Sequence, residues 1–115
     1  MHELSIAMSI IDTCAEEARR HGADRVLAVH LRLGALSGVV VEALESAFEL
    51  AREGSPLEAS HLLIEQVRAT VACPTCDRET ECMSAWERRC NVCGAAVETL
   101  LRGNELEVVA IELPQ

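Results

Sequence analysis

Residues 73–93 read CPTCDRETECMSAWERRCNVC, two Cys-x-x-Cys knuckles separated by thirteen residues. Cys73, Cys76, Cys90 and Cys93 offer four thiolates that can close a tetrahedron around Zn2+ with bonds of about 2.3 Å. Within each knuckle the two-residue gap lets backbone N–H groups point at sulfur and offset its charge. Gly94 supplies the left-handed conformation often needed just after a knuckle. Four thiolates leave no open coordination position, so the site is expected to be structural rather than catalytic. The same ligand set serves iron in rubredoxin-like centres, and spacing does not separate the two metals. A redox dithiol would instead be a lone Cys-x-x-Cys at a helix start after a strand. Cys14 and Cys82 stand outside the pattern and are expected to be free thiols, although Cys82 is near enough in sequence to substitute as a ligand.

A segment of about 25–30 residues buries too little surface to fold alone, so the metal must act as its core. The flanking sequence decides what it is inserted into. Over residues 4–21, Leu4, Ala7, Met8, Ile11, Ala15 and Ala18 recur at helical spacing. Gly22 suits the position just past the helix, after Arg19, Arg20 and His21 in the last turn. In RVLAVHLRLGAL (25–36), Leu27, Val29, Leu31 and Leu33 alternate with His30 and Arg32, which predicts a strand. A second helix is expected over about 40–53, with Val40, Leu44, Ala47, Phe48 and Ala51 inward and Glu42, Glu45 and Glu49 in an acidic stripe. EGSP (53–56) ends it. LLIEQVRATV (62–71) predicts one further strand, and VETLLRGNELEVVAIEL (97–113) a hairpin turning at Gly103-Asn104.

The expected fold is α+β, with two helices on a small three-stranded sheet and an inserted four-cysteine zinc-ribbon-like module. On this reading residues 1–71 plus 97–115 form one domain and 72–96 the module.

Half of the 115 residues are hydrophobic, and Trp86 and Phe48 are the aromatic ones. Ten basic against nineteen acidic residues give a net charge of −9. Four thiolates and one Zn2+ would make that −11. Such a chain is poorly suited to nucleic acid, whose binding is driven by phosphate neutralisation. It has no apolar run long enough to span a membrane and no basic region at its start, which predicts a cytoplasmic protein. Neither a Ser/His/Asp set nor a dinucleotide fingerprint is present, and RLGALSG (32–38) lacks the Lys-Ser/Thr of a phosphate loop. These absences point to a carrier, not an enzyme.

The chain opens MHELSIA (1–7). A histidine at position 2 lets one chain end present its amine, the amide nitrogens of His2 and Glu3, and the His2 imidazole in adjacent chelate rings. Nitrogen sets of this kind suit Ni2+ or Cu2+, and Glu3 can add an oxygen if the ion becomes octahedral. MHELSIA, GALSGV (34–39), SAFE (46–49), GNEL (103–106) and the paired knuckles together resemble the HypA/HybF family of nickel metallochaperones in [NiFe]-hydrogenase maturation. The resemblance implies that Met1, His2 and Glu3 form a nickel-binding tip, with His2 the essential ligand. It implies structural Zn2+ on Cys73, Cys76, Cys90 and Cys93, and transferred Ni2+ as cargo. The partners it implies are a HypB-type nickel GTPase and the [NiFe]-hydrogenase large subunit, with the chain itself a monomer or weak homodimer. Two departures stand out: Val40 sits where some members carry an acid proposed near nickel, and no histidine lies between Cys73 and Cys93. His21, His30 and His61 are expected on a helix end, a strand face and a loop.

Overall fold

The computed structural model describes every residue except Met1, Ala85 and Trp86. Its elements run α1 (His2–Arg20), β1 (Ala28–Gly34), α2 (Val41–Ala51), β2 (His61–Val67), β3 (Thr70–Cys73), β4 (Arg78–Glu81), β5 (Leu100–Arg102) and β6 (Leu106–Glu112). They form two three-stranded sheets, ordered β2-β1-β6 and β4-β3-β5. The chain divides into two compact units, one of Met1–Leu31, Val39–Glu65 and Glu107–Gln115, the other of Arg32–Gly38 and Gln66–Leu106. The second unit thus takes in more chain than residues 72–96. The α+β class and the two helices agree with the sequence.

In the first unit, Ala7, Ile10, Ile11, Cys14 and Ala18 of α1 pack with Val29 and Leu31 of β1 and Leu44 and Phe48 of α2. The buried stripe of α1 is centred one position away from the expected one. Leu4 and Met8 are 36% and 53% exposed, while Ile10 and Cys14 are buried. Periodicity defines a stripe to within a residue or so; the packing partner selects its centre line. The helix ends as expected, since Gly22 has φ +75. Ala23 N–H bonds the Ala18 carbonyl at 2.9 Å and Gly22 N–H the Arg19 carbonyl at 3.0 Å, the two bonds of a Schellman stop. Val40, expected inward, is 56% exposed and forms the N-cap of α2. Among the described residues, no helix is long and apolar enough to cross a membrane.

Two expectations about strands fail. LLIEQVRATV does not form one strand: it divides at Arg68-Ala69 into β2 and β3, which belong to different sheets. Nor do the runs around Gly103 form a hairpin, since β5 pairs with β3 while β6 lies beside β1. Both failures have one cause. The Gly103 carbonyl accepts from Leu36 N–H at 2.6 Å, and the Glu105 carbonyl accepts from Gly34 N–H at 2.7 Å. The turn's hydrogen bonds are therefore committed to the end of β1 instead of to a neighbouring strand. Gly103, at φ +128, lies so close to Ala69 that a Cβ on it would sit 2.9 Å from the Ala69 Cα. The 68–69 segment bends around this point.

Gly34 is the tightest position in this joint, because a Cβ there would overlap the Gly103 carbonyl and the Glu105 carboxylate. Gly34→Ala is expected to destabilise the fold by about 3 kcal/mol, the upper range for overpacking against backbone. The denaturation midpoint measures it; an unchanged midpoint would show that this contact is dispensable.

Candidate metal centres

The four knuckle cysteines come from two turns in the second unit. Cys73 ends β3, whose register with β4 pairs Cys73 with Arg78, Ala72 with Glu79, Val71 with Thr80 and Thr70 with Glu81. The intervening turn carries Cys76 and closes on Asp77, which has φ 55. The second knuckle repeats the device: Gly94, at φ +77, follows Cys93 and donates its N–H to the Cys90 carbonyl at 2.9 Å. Each knuckle therefore closes on a left-handed residue immediately after its second cysteine. Gly94 is legible from its residue type; Asp77 is not, although aspartate tolerates this conformation better than most side chains.

These turns bring the four sulfurs within 4.8 Å of one another. Cys73 and Cys93 sulfurs are 3.6 Å apart and those of Cys76 and Cys90 are 3.8 Å apart. A zinc–thiolate tetrahedron with bonds of about 2.3 Å has edges of about 3.8 Å, so the donor set and its spacing fit Zn2+. Amides support the sulfurs. Cys76 N–H points at Cys73 Sγ at 3.4 Å, and Val92 N–H at Cys90 Sγ at 3.3 Å. Cys90 Sγ also accepts from the Thr80 hydroxyl at 3.0 Å. That hydroxyl, aided by the Cys93 and Val92 amides, draws the Cys90 thiol down to about 6. Cys76, hemmed in by the Cys93 sulfur first and by burial next, is pushed up to about 12. Cys76 thus keeps its proton at neutral pH until a cation replaces it, whereas Cys90 gives its own up readily.

Thr80 is invisible to spacing rules, because it belongs to no knuckle. Its only sequence signal is a β-branched residue in a short polar run. It meets Cys90 because the Cys82–Cys90 bridge and the bond from Asn91 N–H to the Glu81 carbonyl lay the second knuckle beside the end of β4. The two cysteines outside the pattern are free thiols. Cys82 faces Cys90 across an isolated antiparallel bridge, yet its Sγ turns to the Ser84 and Glu87 carbonyls at 3.4 and 3.5 Å and stays out of the four-sulfur cluster. Cys14 is buried in the core of the first unit, where burial pushes its thiol up to about 11.

The amino-terminal tip differs from expectation in one respect. Helix α1 begins at His2, so His2 and Glu3 lie inside its first turn instead of preceding it. The first N–H groups of a helix have no intrahelical acceptor, so the amides of His2 and Glu3 are not tied into the helix ladder. The His2 side chain is exposed. Glu3 holds its own N–H and, through Oε2, the Val40 N–H at 3.3 Å; these bonds set its carboxyl below the usual range. Through the Val40 backbone N–H, Glu3 joins the start of α1 to the N-cap of α2, a bond that does not depend on the valine side chain. Met1 lies outside the described residues. Among the described residues, the cysteine cluster is the one group of three or more potential metal ligands. His21 bonds the Glu17 carbonyl at the end of α1, His30 Nε2 is 2.6 Å from Glu112 Oε2, and His61 opens β2.

Against known proteins, residues 1–113 match the family model described as hydrogenase/urease nickel incorporation, metallochaperone, hypA. The chain belongs to the HypA family. Hydrogenase maturation factor HypA of Chloroflexus aurantiacus is 45% identical over 114 residues, covering 99% of this chain and all of the relative. The HypA of a Roseiflexus species is 46% identical over 112 residues, or 97% and 91% of the two chains. The solution structure of the Ni metallochaperone HypA from Helicobacter pylori superposes with a TM-score of 0.67 at 25% identity, over 96% of each chain. Another HypA solution structure gives 0.71 at 26% identity, over 99% and 97%. HypA proteins are metallochaperones of nickel incorporation and not enzymes, and this chain is a member that carries the four-cysteine, zinc-type site. Its family places it with the hydrogenase maturation machinery.

Three of the six buried residues in the second unit's core are cysteines: Cys73, Cys82 and Cys90, beside Ala69, Val71 and Val97. Cys73→Ser should therefore lower bound zinc well below one ion per chain and expose the amides of β3, β4 and β5 to hydrogen exchange. Amides of α1 should keep their protection. Full protection of β3–β5 in zinc-free protein would show that the metal is not the core.

Proposed function

We propose that the amino-terminal tip carries Ni2+ and hands it to the [NiFe]-hydrogenase large subunit, while the four cysteines hold a structural Zn2+. The observation that supports this most is the placement of His2 and Glu3 at the first two positions of α1. There their amide nitrogens can bind an ion without breaking any helical hydrogen bond. The His2 imidazole completes the set with the amine of Met1, and Glu3 can turn its carboxylate from the Val40 amide to the ion. A planar nitrogen set favours Ni2+ over Zn2+, whereas the four thiolates favour Zn2+, so the two ions are sorted by ligand chemistry. A HypB-type nickel GTPase is the partner in this transfer, and the cytoplasm its setting.

Metal analysis of the untagged protein, before and after Ni2+ loading, tests the assignment. One zinc is expected throughout, with nickel bound by the parent and lost in His2→Ala. Nickel bound equally by His2→Ala would overturn it.

Proton competition gives a second measurement. An α-amino group ordinarily titrates near 7.7–8.0 and an imidazole near 6.5, and both bind metal only when deprotonated. Nickel affinity should thus fall as pH drops from about 8 to about 6, seen by calorimetry. A flat affinity across that window, or unchanged binding after residues are added before Met1, would remove the tip as the site.

A further inference from the structure

Among the described residues, Ser60 and Thr80 are the buried polar ones. Thr80 sits within β4, paired with the fully buried Val71. A core position that required only volume and strand propensity would be served by valine, which has the same branched shape. The hydroxyl is the difference, and burying one without a partner is costly. Its partner is the Cys90 sulfur at 3.0 Å. A thiolate can only accept, so the hydroxyl donates.

The four sulfurs are not equivalent in this respect. Cys90 is fully buried and receives both the Thr80 hydroxyl and the Val92 amide. Cys73 is buried and receives the Cys76 amide. Cys93 is exposed and Cys76 half-buried. The cluster therefore has a held side and an open side. Donors to a metal-bound thiolate lower its charge, orient its lone pairs and keep it from being protonated and displaced.

We propose that Thr80 is a positioning residue for the zinc site, making Cys90 the anchoring ligand, so that zinc loss begins at Cys93 and Cys76. The inference rests on the four cysteines holding Zn2+, and it adds a residue of β4 that belongs to neither knuckle. Water or a competing chelator reaches the ion from the Cys93 side. Each partial detachment is then reversed because Cys90 keeps the ion in place.

Two substitutions separate the hydrogen bond from packing. Thr80→Val keeps the volume and removes the donor, whereas Thr80→Ser keeps the donor and removes a methyl group. Full-length, zinc-loaded protein is mixed with excess chromogenic chelator and zinc transfer is followed in time. Thr80→Val should release zinc about tenfold faster than the parent, the lower end for loss of an outer-sphere partner. Thr80→Ser should stay close to the parent rate. In the Co2+-substituted protein, loss of the donor raises the sulfur lone-pair energy. The thiolate-to-cobalt charge-transfer band should therefore move to longer wavelength in Thr80→Val and not in Thr80→Ser.

The reverse order, slow release from Thr80→Val and fast release from Thr80→Ser, would show that Thr80 only fills space. Unchanged release and an unchanged band in Thr80→Val would overturn the inference while leaving the zinc reading intact. Parent protein that carries no zinc and takes up no Co2+ would overturn both. Should Thr80→Val fail to fold, the Co2+ band of Thr80→Ser still decides, since a shift there with the donor present contradicts the proposal.

Discussion

Four sulfur atoms within 4.8 Å of one another make a core only when a cation lies between them. As thiolates they repel, and as thiols they are linked only by weak S–H contacts. The second unit has little else to rely on. The other members of its central cluster, Ala69, Val71 and Val97, are small, and cysteines make up half of that cluster. The short strands β3, β4 and β5 are too brief to be stable by pairing alone. The metal thus substitutes for the apolar volume that the helix-bearing unit obtains from Ile10, Leu31, Leu44 and Phe48.

A second constraint organises the chain around the cluster. Gly34 has no room for a side chain because the Gly103 carbonyl lies against it, and Gly103 has none because Ala69 does. Their amides and carbonyls exchange hydrogen bonds with residues 36 and 105, and this commitment sends the chain from one sheet to the other. The joint, not any local turn preference, decides which strands are neighbours.

The two units also divide the charge. The helix-bearing unit contains thirteen acidic and four basic side chains, a formal balance of −9, whereas the cysteine-bearing unit contains six of each. The whole net acidity of the chain therefore belongs to the unit that bears His2 and Glu3. A field of that sign raises the local concentration of divalent cations and disfavours polyanions. Glu3 contributes in two ways, as a charge at the start of α1 and as the acceptor that links it to Val40.

Much of the candidate site is legible in the residues themselves. Ligand spacing is a local property, and Cys-x-x-Cys encodes its own turn; so do the helix stop at Gly22 and the left-handed Gly94. Helix α1 starts two residues earlier than its apolar pattern predicts, because His2 and Glu3 carry no capping signal and periodicity does not locate a helix end. Thr80 escapes a reading by spacing because a side-chain hydrogen bond from β4 to the second knuckle leaves no trace there. By itself, then, the sequence determined the metal-binding chemistry, the α+β class and the two helices, all of which depend on residues a few positions apart. Tertiary structure decided that residues 62–71 divide between two sheets, that residues 97–113 do not pair with themselves, and that Thr80 lies against Cys90. The physical reason is common to all three. A strand's partners are chosen by backbone hydrogen bonds and close packing between residues far apart in the chain, and alternation along one segment carries no information about them.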